Sequence, residues 1–215
     1  MAGDTMPQSL YKTLYAHYGD PNWWPARTPY EVMVGAVLTQ NTAWSNVEKA
    51  IAGFGDDLSP QLVAGMPVEQ LRDIIRPSGF FVRKADTLKT ITAWYAQYDW
   101  DVGTVQQQPM PVLRAQLLTL RGIGPETADS MLLYAFGFPT FVVDAYTMRL
   151  CRRYPLPAGE GYEAVKAYFE QHLPRETEVY NQMHALIVVN AKAHCRAKPV
   201  CTGCPLHSQC EKKID

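Results

Sequence analysis

The spacing of apolar residues along the chain predicts a fold built almost entirely of helices. Leu10, Leu14 and Tyr18 recur at helical spacing, for example, and would lie on one helix face. The same kind of pattern predicts helices over 8–19, 30–54 with a polar break at 39–42, 60–65, 67–76, 84–97, 109–119, 125–136, 160–172 and 178–193. The segment 137–143, GFPTFVV, is predicted to be extended. The fold class predicted from this pattern is all-α.

Composition indicates a globular protein with a sizeable core. The chain has 215 residues, of which 47% are hydrophobic and 19% charged, enough for one large domain or two small ones. No stretch has the length and apolarity of a membrane span, and the first residues lack a secretion signal, so we expect a cytoplasmic protein. The net charge of −1 gives no general basic excess, but nucleic-acid binding requires only a local patch.

Four of the five cysteines crowd into the last segment of the chain. Without an export signal, cysteines this close are expected to ligate a metal rather than to form disulfides. Four sulfur ligands suit either zinc or an iron–sulfur cluster, and structural zinc sites often pair two CxxC motifs. Here only one CxxC is present, and the wider gaps favour a [4Fe–4S] cluster, with zinc as the alternative. The predicted ligands, in the spacing C-x5-C-x2-C-x5-C, are Cys195, Cys201, Cys204 and Cys210.

The segment 120–130, LRGIGPETADS, predicts a turn between two helices that an anion can approach closely. Gly122 and Gly124 permit backbone angles closed to other residues, and Pro125 suits the first position of a helix. The N–H groups at such a helix start can bind a phosphate, while Ile123 is expected to turn inward as an apolar plug. The segment is therefore interpreted as a helix-hairpin-helix that grips a DNA backbone, although an ordinary helix–helix turn would show the same pattern.

The order of these motifs resembles the endonuclease III-like DNA glycosylases over nearly the whole chain. The matching segments are VLTQNT, GFFVRKA, LRGIGPETA, VDAYTMR and the terminal cysteines. The resemblance implies a helical barrel domain over 28–137 that carries the hairpin. It also implies a discontinuous helical domain, 1–27 with 138–215, that ends in the cluster, and an active-site cleft between the two. The implied partner is double-stranded DNA with a damaged base, bound by a monomer associated with the nucleoid.

Three departures from the family pattern bear on mechanism. The first cysteine gap is five residues instead of six, and Tyr146 replaces the histidine of the family's VDTH. Most important, Glu126 occupies the position of the lysine that forms a Schiff base in the bifunctional members. Because a carboxylate cannot form an imine, we expect a monofunctional glycosylase without lyase activity.

Two acidic residues are the candidate catalytic groups. Asp144 is placed to support positive charge on the sugar or to activate water, and a helix start would keep it ionised. Its alternative role is a plain N-cap, which is compatible with catalysis. Glu126 either contacts the base and takes part in the reaction or is a solvated acid in the first turn of its helix.

A second group of motifs resembles the 3-methyladenine DNA glycosylases within the same superfamily. These motifs are NWWP, EVMVGAVLTQNT followed closely by a tryptophan, and GIGPETAD. A methylated purine is cationic, and aromatic faces attract cations by about 0.5–2 kcal/mol per contact. The implied base pocket comprises Trp23, Trp24, Pro25, Gln40, Trp44 and Tyr146. The paired tryptophans could instead form a hydrophobic clasp between the domains.

The remaining candidates are DNA contacts. Gln40 is placed to fill the gap left by a flipped base, and Lys84 to meet a phosphate. Phe80 is placed to wedge into the opposite strand, with burial beside Phe81 as the alternative. Two other functions stay open: a glycosylase acting on T/G or U/G mismatches, and an inert DNA-binding iron–sulfur module. The presence of Asp144 argues against the inert module.

Overall fold

The computed structural model describes residues 3–211, and within them it contains twelve α-helices and no β-strand. The predicted all-α class is therefore confirmed. Residues 1–2 and 212–215, which belong to the predicted discontinuous domain, lie outside the described residues. None of the described helices combines the length and the apolarity needed to cross a membrane.

The helices lie, for the most part, where the apolar pattern predicts them. They are α1 (Met6–Tyr18), α2 (Pro29–Leu38), α3 (Trp44–Ala52), α4 (Pro60–Gly65), α5 (Val68–Ile75), α6 (Phe81–Ala96), α7 (Val102–Gln106), α8 (Met110–Thr119), α9 (Pro125–Ser130), α10 (Ala145–Arg153), α11 (Tyr162–His172) and α12 (Thr177–Ala193). A 3₁₀ turn, Arg76–Ser78, precedes α6, and a π-helical segment, Met131–Ala135, continues α9.

Three local features differ from the predicted elements. The helix α7 was missed because its five residues are too few to show a period, although Asp101 caps it by accepting the Thr104 N–H at 2.7 Å. The predicted helix over 125–136 changes from α to π geometry at Met131. The segment 139–143 is extended but has no strand partner, so it serves as a connection.

The chain divides into two compact units. One comprises Trp24–Phe138, and the other comprises the residues up to Trp23 together with those from Pro139 onward. In the first of these, α2 is the centre of the core, because every side chain from Tyr30 to Leu38 is buried. An all-round apolar helix of this kind can be stable only when other helices surround it.

The other unit packs α1, α10 and α11 with α12, which is buried along most of its length. Its core is aromatic at the centre: the rings of Phe141 and Phe169 stack at 4.4 Å, and Tyr180 meets Phe141 edge-on at 5.9 Å. This packing fixes the extended segment before α10 and therefore the position of Asp144 at the start of that helix.

A buried ion pair holds α8 against α9. The Arg114 guanidinium donates from Nε and Nη2 to the two carboxylate oxygens of Asp129, at 2.8 and 3.0 Å. The Asp129 side chain is fully buried, and that of Arg114 is 19% exposed. A two-point contact of this kind fixes both the distance and the rotation between the helices on either side of the hairpin turn.

We expect Asp129→Ala to lower the free energy of unfolding by about 2–4 kcal/mol, because the Arg114 charge would lose its partner while still largely buried. The control is Asp86→Ala: Asp86 also pairs with an arginine, Arg72, but is 60% exposed, and its loss should cost less than about 1 kcal/mol. Chemical denaturation measures both values, and equal effects would show that the buried pair does not hold the hairpin.

Candidate active site

The hairpin turn between α8 and α9 uses its two glycines differently. Gly122 has a φ of 88°, and a β-carbon there would overlap the Thr87 hydroxyl. Gly124 is extended, with a φ of −98°, and no atom lies within 4 Å of where its β-carbon would be. Between them Ile123 is 6% exposed, so its side chain reaches inward as predicted. Gly122 therefore serves the fold, while Gly124 leaves the start of α9 open.

Gln40 braces this turn. Its side-chain amide donates to the Gly122 carbonyl at 3.0 Å and to the Thr127 hydroxyl at 2.9 Å. Both contacts join the loop after α2 to the hairpin. In this conformation the Gln40 amide is occupied, so insertion into DNA would require both hydrogen bonds to break.

Phe80 lies beside the hairpin with its ring in solvent. It is 63% exposed and has a φ of 45°, an unusual angle for a bulky residue. The alternative of burial beside Phe81 is therefore wrong. A cavity next to this ring is lined by Gln40, Asn41, Phe80, Arg83, Lys84, Thr87 and Gly122.

The structure corrects the assignment of Lys84 to a DNA phosphate. Lys84 is 3% exposed, and its ammonium donates to the carbonyls of Leu38 and Ser78 at 2.8 and 2.7 Å. Burial lowers the pKa of the Lys84 ammonium from its ordinary 10.5 to about 8. The side chain thus ties α6 to the end of α2, and the sequence pattern could not distinguish this from a surface charge.

Trp24 stands at the centre of an aromatic cluster in the Trp24–Phe138 unit. Its ring meets Trp44 edge-on at 5.3 Å and Tyr134 at 5.3 Å with a tilt of 57°. A β-carbon on Gly35 would come within 3.3 Å of the Trp24 ring, so that glycine permits the close seat of the indole. Sequence reasoning found Trp24 and Trp44 but missed Tyr134, which belongs to the π-helical segment.

Two carboxylates accompany this cluster and the hairpin. The Trp44 indole N–H donates to Glu48 at 3.1 Å, which places negative charge beside the rings. Glu126 is exposed in the first turn of α9.

Pro25, another residue of the predicted base pocket, is also exposed. It lies in a tight turn where the Ala26 N–H donates to the Trp24 carbonyl at 2.9 Å.

Trp23 belongs to the other unit and has a different environment. The Lys192 ammonium lies 5.5 Å from the centre of its ring, a cation–π contact. The same unit carries Tyr146, whose ring lies under the Arg149 guanidinium at 5.5 Å. Both predicted pocket residues therefore already have a cation on one ring face.

Asp144 caps α10, as the sequence predicts. Its Oδ1 accepts the Thr147 N–H at 2.7 Å and the Thr147 hydroxyl at 2.9 Å. Its Oδ2 lies 3.4 Å from His184 Nε2, and the side chain is 12% exposed. Burial acts to raise the pKa of Asp144, but His184 and the two Thr147 donors outweigh it, so the pKa falls below its ordinary 3.8. The carboxylate is therefore ionised at neutral pH.

The four clustered cysteines border one cavity, together with Leu150, Arg153 and Asn190. The Arg153 guanidinium lies 3.5 Å from the Cys195 sulfur, and the Cys204 sulfur lies 3.7 Å from the side-chain amide oxygen Oδ1 of Asn190. Within residues 3–211, no three His, Cys, Asp or Glu side chains converge closely enough to ligate one metal ion. The thiols thus surround a space instead of meeting at a point.

The chain belongs to the HhH-GPD superfamily of base excision DNA repair proteins, whose family model matches residues 34–175. It is 42% identical over 216 residues to a candidate DNA repair glycosylase of Methanocaldococcus jannaschii, covering 97% of each chain. A solved endonuclease III, trapped as a covalent intermediate with DNA, has a TM-score of 0.82 at 24% identity, covering 99% of this chain and 98% of that one. The H. pylori 3-methyladenine DNA glycosylase bound to 1,N6-ethenoadenine has a TM-score of 0.74 at 25% identity, covering 87% and 96%. The protein is thus an endonuclease III-like helix-hairpin-helix DNA glycosylase.

The two hairpin glycines generate a matched pair of predictions. Gly122→Ala should lower the free energy of unfolding by about 1–3 kcal/mol, because it combines a positive φ with overlap at Thr87. Gly124→Ala should leave unfolding nearly unchanged but weaken duplex binding, because a methyl group would project from the open start of α9. Denaturation and fluorescence anisotropy measure the two effects, and unchanged DNA affinity in Gly124→Ala would remove this turn from the interface.

Proposed function

We propose that the protein is a monofunctional glycosylase that removes cationic alkylated purines, such as 3-methyladenine, from double-stranded DNA. The observation that carries the proposal is the ionised carboxylate of Asp144, only 12% exposed, at the start of α10. A fixed negative charge with little exposure to water stabilises a developing positive charge more strongly than a solvated one does.

In the proposed reaction the bond between the anomeric carbon and the purine nitrogen breaks, and the sugar passes through an oxocarbenium-like state. The bonding electrons leave with the base, so an alkylated purine that starts as a cation departs neutral and needs no strong acid. Asp144 stabilises the positive sugar by charge, and water then adds to the anomeric carbon. The water proton passes to the carboxylate or to bulk solvent.

The presence of Glu126 at the hairpin is evidence for hydrolysis rather than covalent catalysis. The lysine of the family's hairpin motif would attack the sugar as an amine, and the carboxylate of Glu126 cannot form the corresponding imine. The solved endonuclease III was trapped covalently on DNA, and we expect this chain to give no such adduct.

The aromatic cluster supports a cationic base as the substrate. The cluster consists of the rings of Trp24, Trp44 and Tyr134. The Glu48 carboxylate accepts a hydrogen bond from the Trp44 indole. Stacking on such rings contributes about 1–3 kcal/mol per base, and their quadrupoles favour positive charge. We assign base stacking to this cluster rather than to Trp23, because Lys192 already lies over the Trp23 ring. The structural similarity to a 3-methyladenine DNA glycosylase also supports an alkylated purine as the substrate.

We assign the DNA grip to the hairpin and to Phe80. The start of α9 offers backbone N–H groups to a phosphate without a side chain in front of them. The exposed ring of Phe80 is suited to wedge between bases, which proteins use to open a duplex. One chain carries all of these groups, so we expect it to act as a monomer.

We also propose that Cys195, Cys201, Cys204 and Cys210 hold a [4Fe–4S] cluster. All four cysteines line one cavity, and their wide spacing in the sequence suits a body larger than a single zinc ion. Burial, reinforced by the other three cysteines, raises the pKa of the Cys204 thiol, and the positive charge of a bound metal would offset that effect. When bound, the cluster would supply a structural cross-link to the segment after α12.

The test of the proposed function is a substrate panel. Duplexes with a methylated purine, a T/G mismatch or thymine glycol would be incubated with the protein, with and without borohydride. We expect excision of the methylated base and no trapped adduct. Preferential excision of thymine from the mismatch would replace the proposed substrate, and a trapped adduct would contradict monofunctional hydrolysis.

Asp144→Asn should reduce excision by at least about 100-fold while duplex affinity stays within a factor of about two, because the charge is lost but the cap can remain. Asp101→Asn is the matched control. Asp101 caps α7 through the same pair of contacts, to the Thr104 N–H and hydroxyl at 2.7 and 3.0 Å, and it should leave excision unchanged. Equal losses in both variants would reduce Asp144 to a structural cap.

The cluster is tested on freshly purified protein. A broad visible absorption band and about four iron atoms per chain are expected, whereas bound zinc would leave the protein colourless. Cys204→Ser should lower the iron content and the stability of the C-terminal segment, while Cys151→Ser, which changes a cysteine outside this group, should alter neither. Zinc in stoichiometric amount without iron would overturn the assignment.

A further inference from the structure

A buried histidine faces the carboxylate of Asp144. His184 lies on α12, is 4% exposed, and places Nε2 3.4 Å from Oδ2 of Asp144. The other carboxylate oxygen, Oδ1, already accepts two hydrogen bonds from Thr147. The two oxygens therefore meet different partners, one at the helix start and one on the neighbouring helix.

The surroundings of His184 explain why its imidazole needs a polar partner. Its chain neighbours Met183, Ala185 and Leu186 are buried and apolar. An imidazole in such a position loses hydration, which is unfavourable unless a polar partner replaces the water. A carboxylate at 3.4 Å supplies such a partner, at a separation that a small approach would turn into a well-formed hydrogen bond.

Other ionisable groups on the helices around this pair are directed to different partners. On α12 itself, Glu178 accepts from Gln182, and Lys192 lies over Trp23. On α1, Tyr11 donates to Gln182 and Tyr18 donates to Asn190. On α10, Arg149 donates to the Cys195 carbonyl and Arg153 to the Arg196 carbonyl. On α11, Lys166 pairs with Glu170. His184, in contrast, faces the Asp144 carboxylate at 3.4 Å.

We infer that His184 is a positioning residue: by donating Nε2–H to Oδ2, it keeps Asp144 ionised and fixes the orientation of its carboxylate toward the sugar. This inference rests on the proposed function, because Asp144 is the group it serves. Nothing in the motifs identifies His184, since the pattern of α12 shows only a buried apolar helix.

The consequence concerns the charge state of Asp144 after loss of the histidine. Burial by itself raises the pKa of Asp144, and His184 provides the largest opposing effect. Replacement by a side chain without a donor should therefore raise that pKa. Excision needs the ionised carboxylate. As the pH is lowered, the rate of excision should therefore begin to fall at a higher pH than in the wild type.

The first measurement is the pH dependence of single-turnover excision. His184→Phe should shift the acidic fall in rate to higher pH, and His184→Gln, whose amide can donate to Oδ2, should restore it toward the wild-type position. Val188→Ala is the control for simple destabilisation, because Val188 is a buried apolar residue of the same helix. His184→Met replaces the phenylalanine variant if that variant does not fold. An acidic fall at the same pH in all variants would overturn the inference.

The second measurement is the free energy of unfolding against pH, which needs no enzymatic activity. Asp144 has a lowered pKa in the folded protein, so its contribution is present above its ordinary 3.8 and is lost as the pH falls through the folded value. In His184→Phe this loss should begin at higher pH, and the difference should vanish when Asp144→Asn is added. A wild type that excises no methylated base would contradict the proposed function, while this measurement would still decide the role of His184.

Discussion

The backbone N–H groups at the start of a helix need an acceptor, and both functional motifs of this protein depend on how that need is met. At α10 the acceptor is the Asp144 side chain, which thereby stays fixed and charged. At α9 the cap position is Gly124, which makes no side-chain cap, and we propose that an external anion binds there. The need for an acceptor is thus met by the carboxylate of Asp144 at α10 and, in our proposal, by a bound DNA phosphate at α9.

The charge on Asp144 links this geometry to the proposed chemistry. A carboxylate that is 12% exposed would ordinarily tend to take up a proton, and here donors on two helices oppose that tendency. The aromatic cluster and the carboxylate both favour positive charge, and the proposed substrate is a cation. Neither group requires a lysine nucleophile, which is consistent with Glu126 at the hairpin.

Sequence reasoning reached the features that depend on local chemistry. Helix periodicity gave the all-α class and most helix positions, and the Asp144 cap and the inward Ile123 followed from turn and capping rules. Contacts between distant segments were out of its reach. Lys84 and an exposed lysine have the same sequence pattern, and only the carbonyls of Leu38 and Ser78, brought in by the fold, show that it is buried. Tyr134 was missed for the same reason, since its partner Trp24 is far away in the chain.

The adjacent tryptophans show that two residues next to each other in the sequence need not share a structural role. The division between the two compact units falls between them, and the two rings have different neighbours: Lys192 lies over Trp23, while Trp44 and Tyr134 pack against Trp24. A pair that looks like one motif therefore holds two indoles in different environments, one beside a cation and one among other aromatic rings. Treating the two tryptophans as a single motif would overlook that difference.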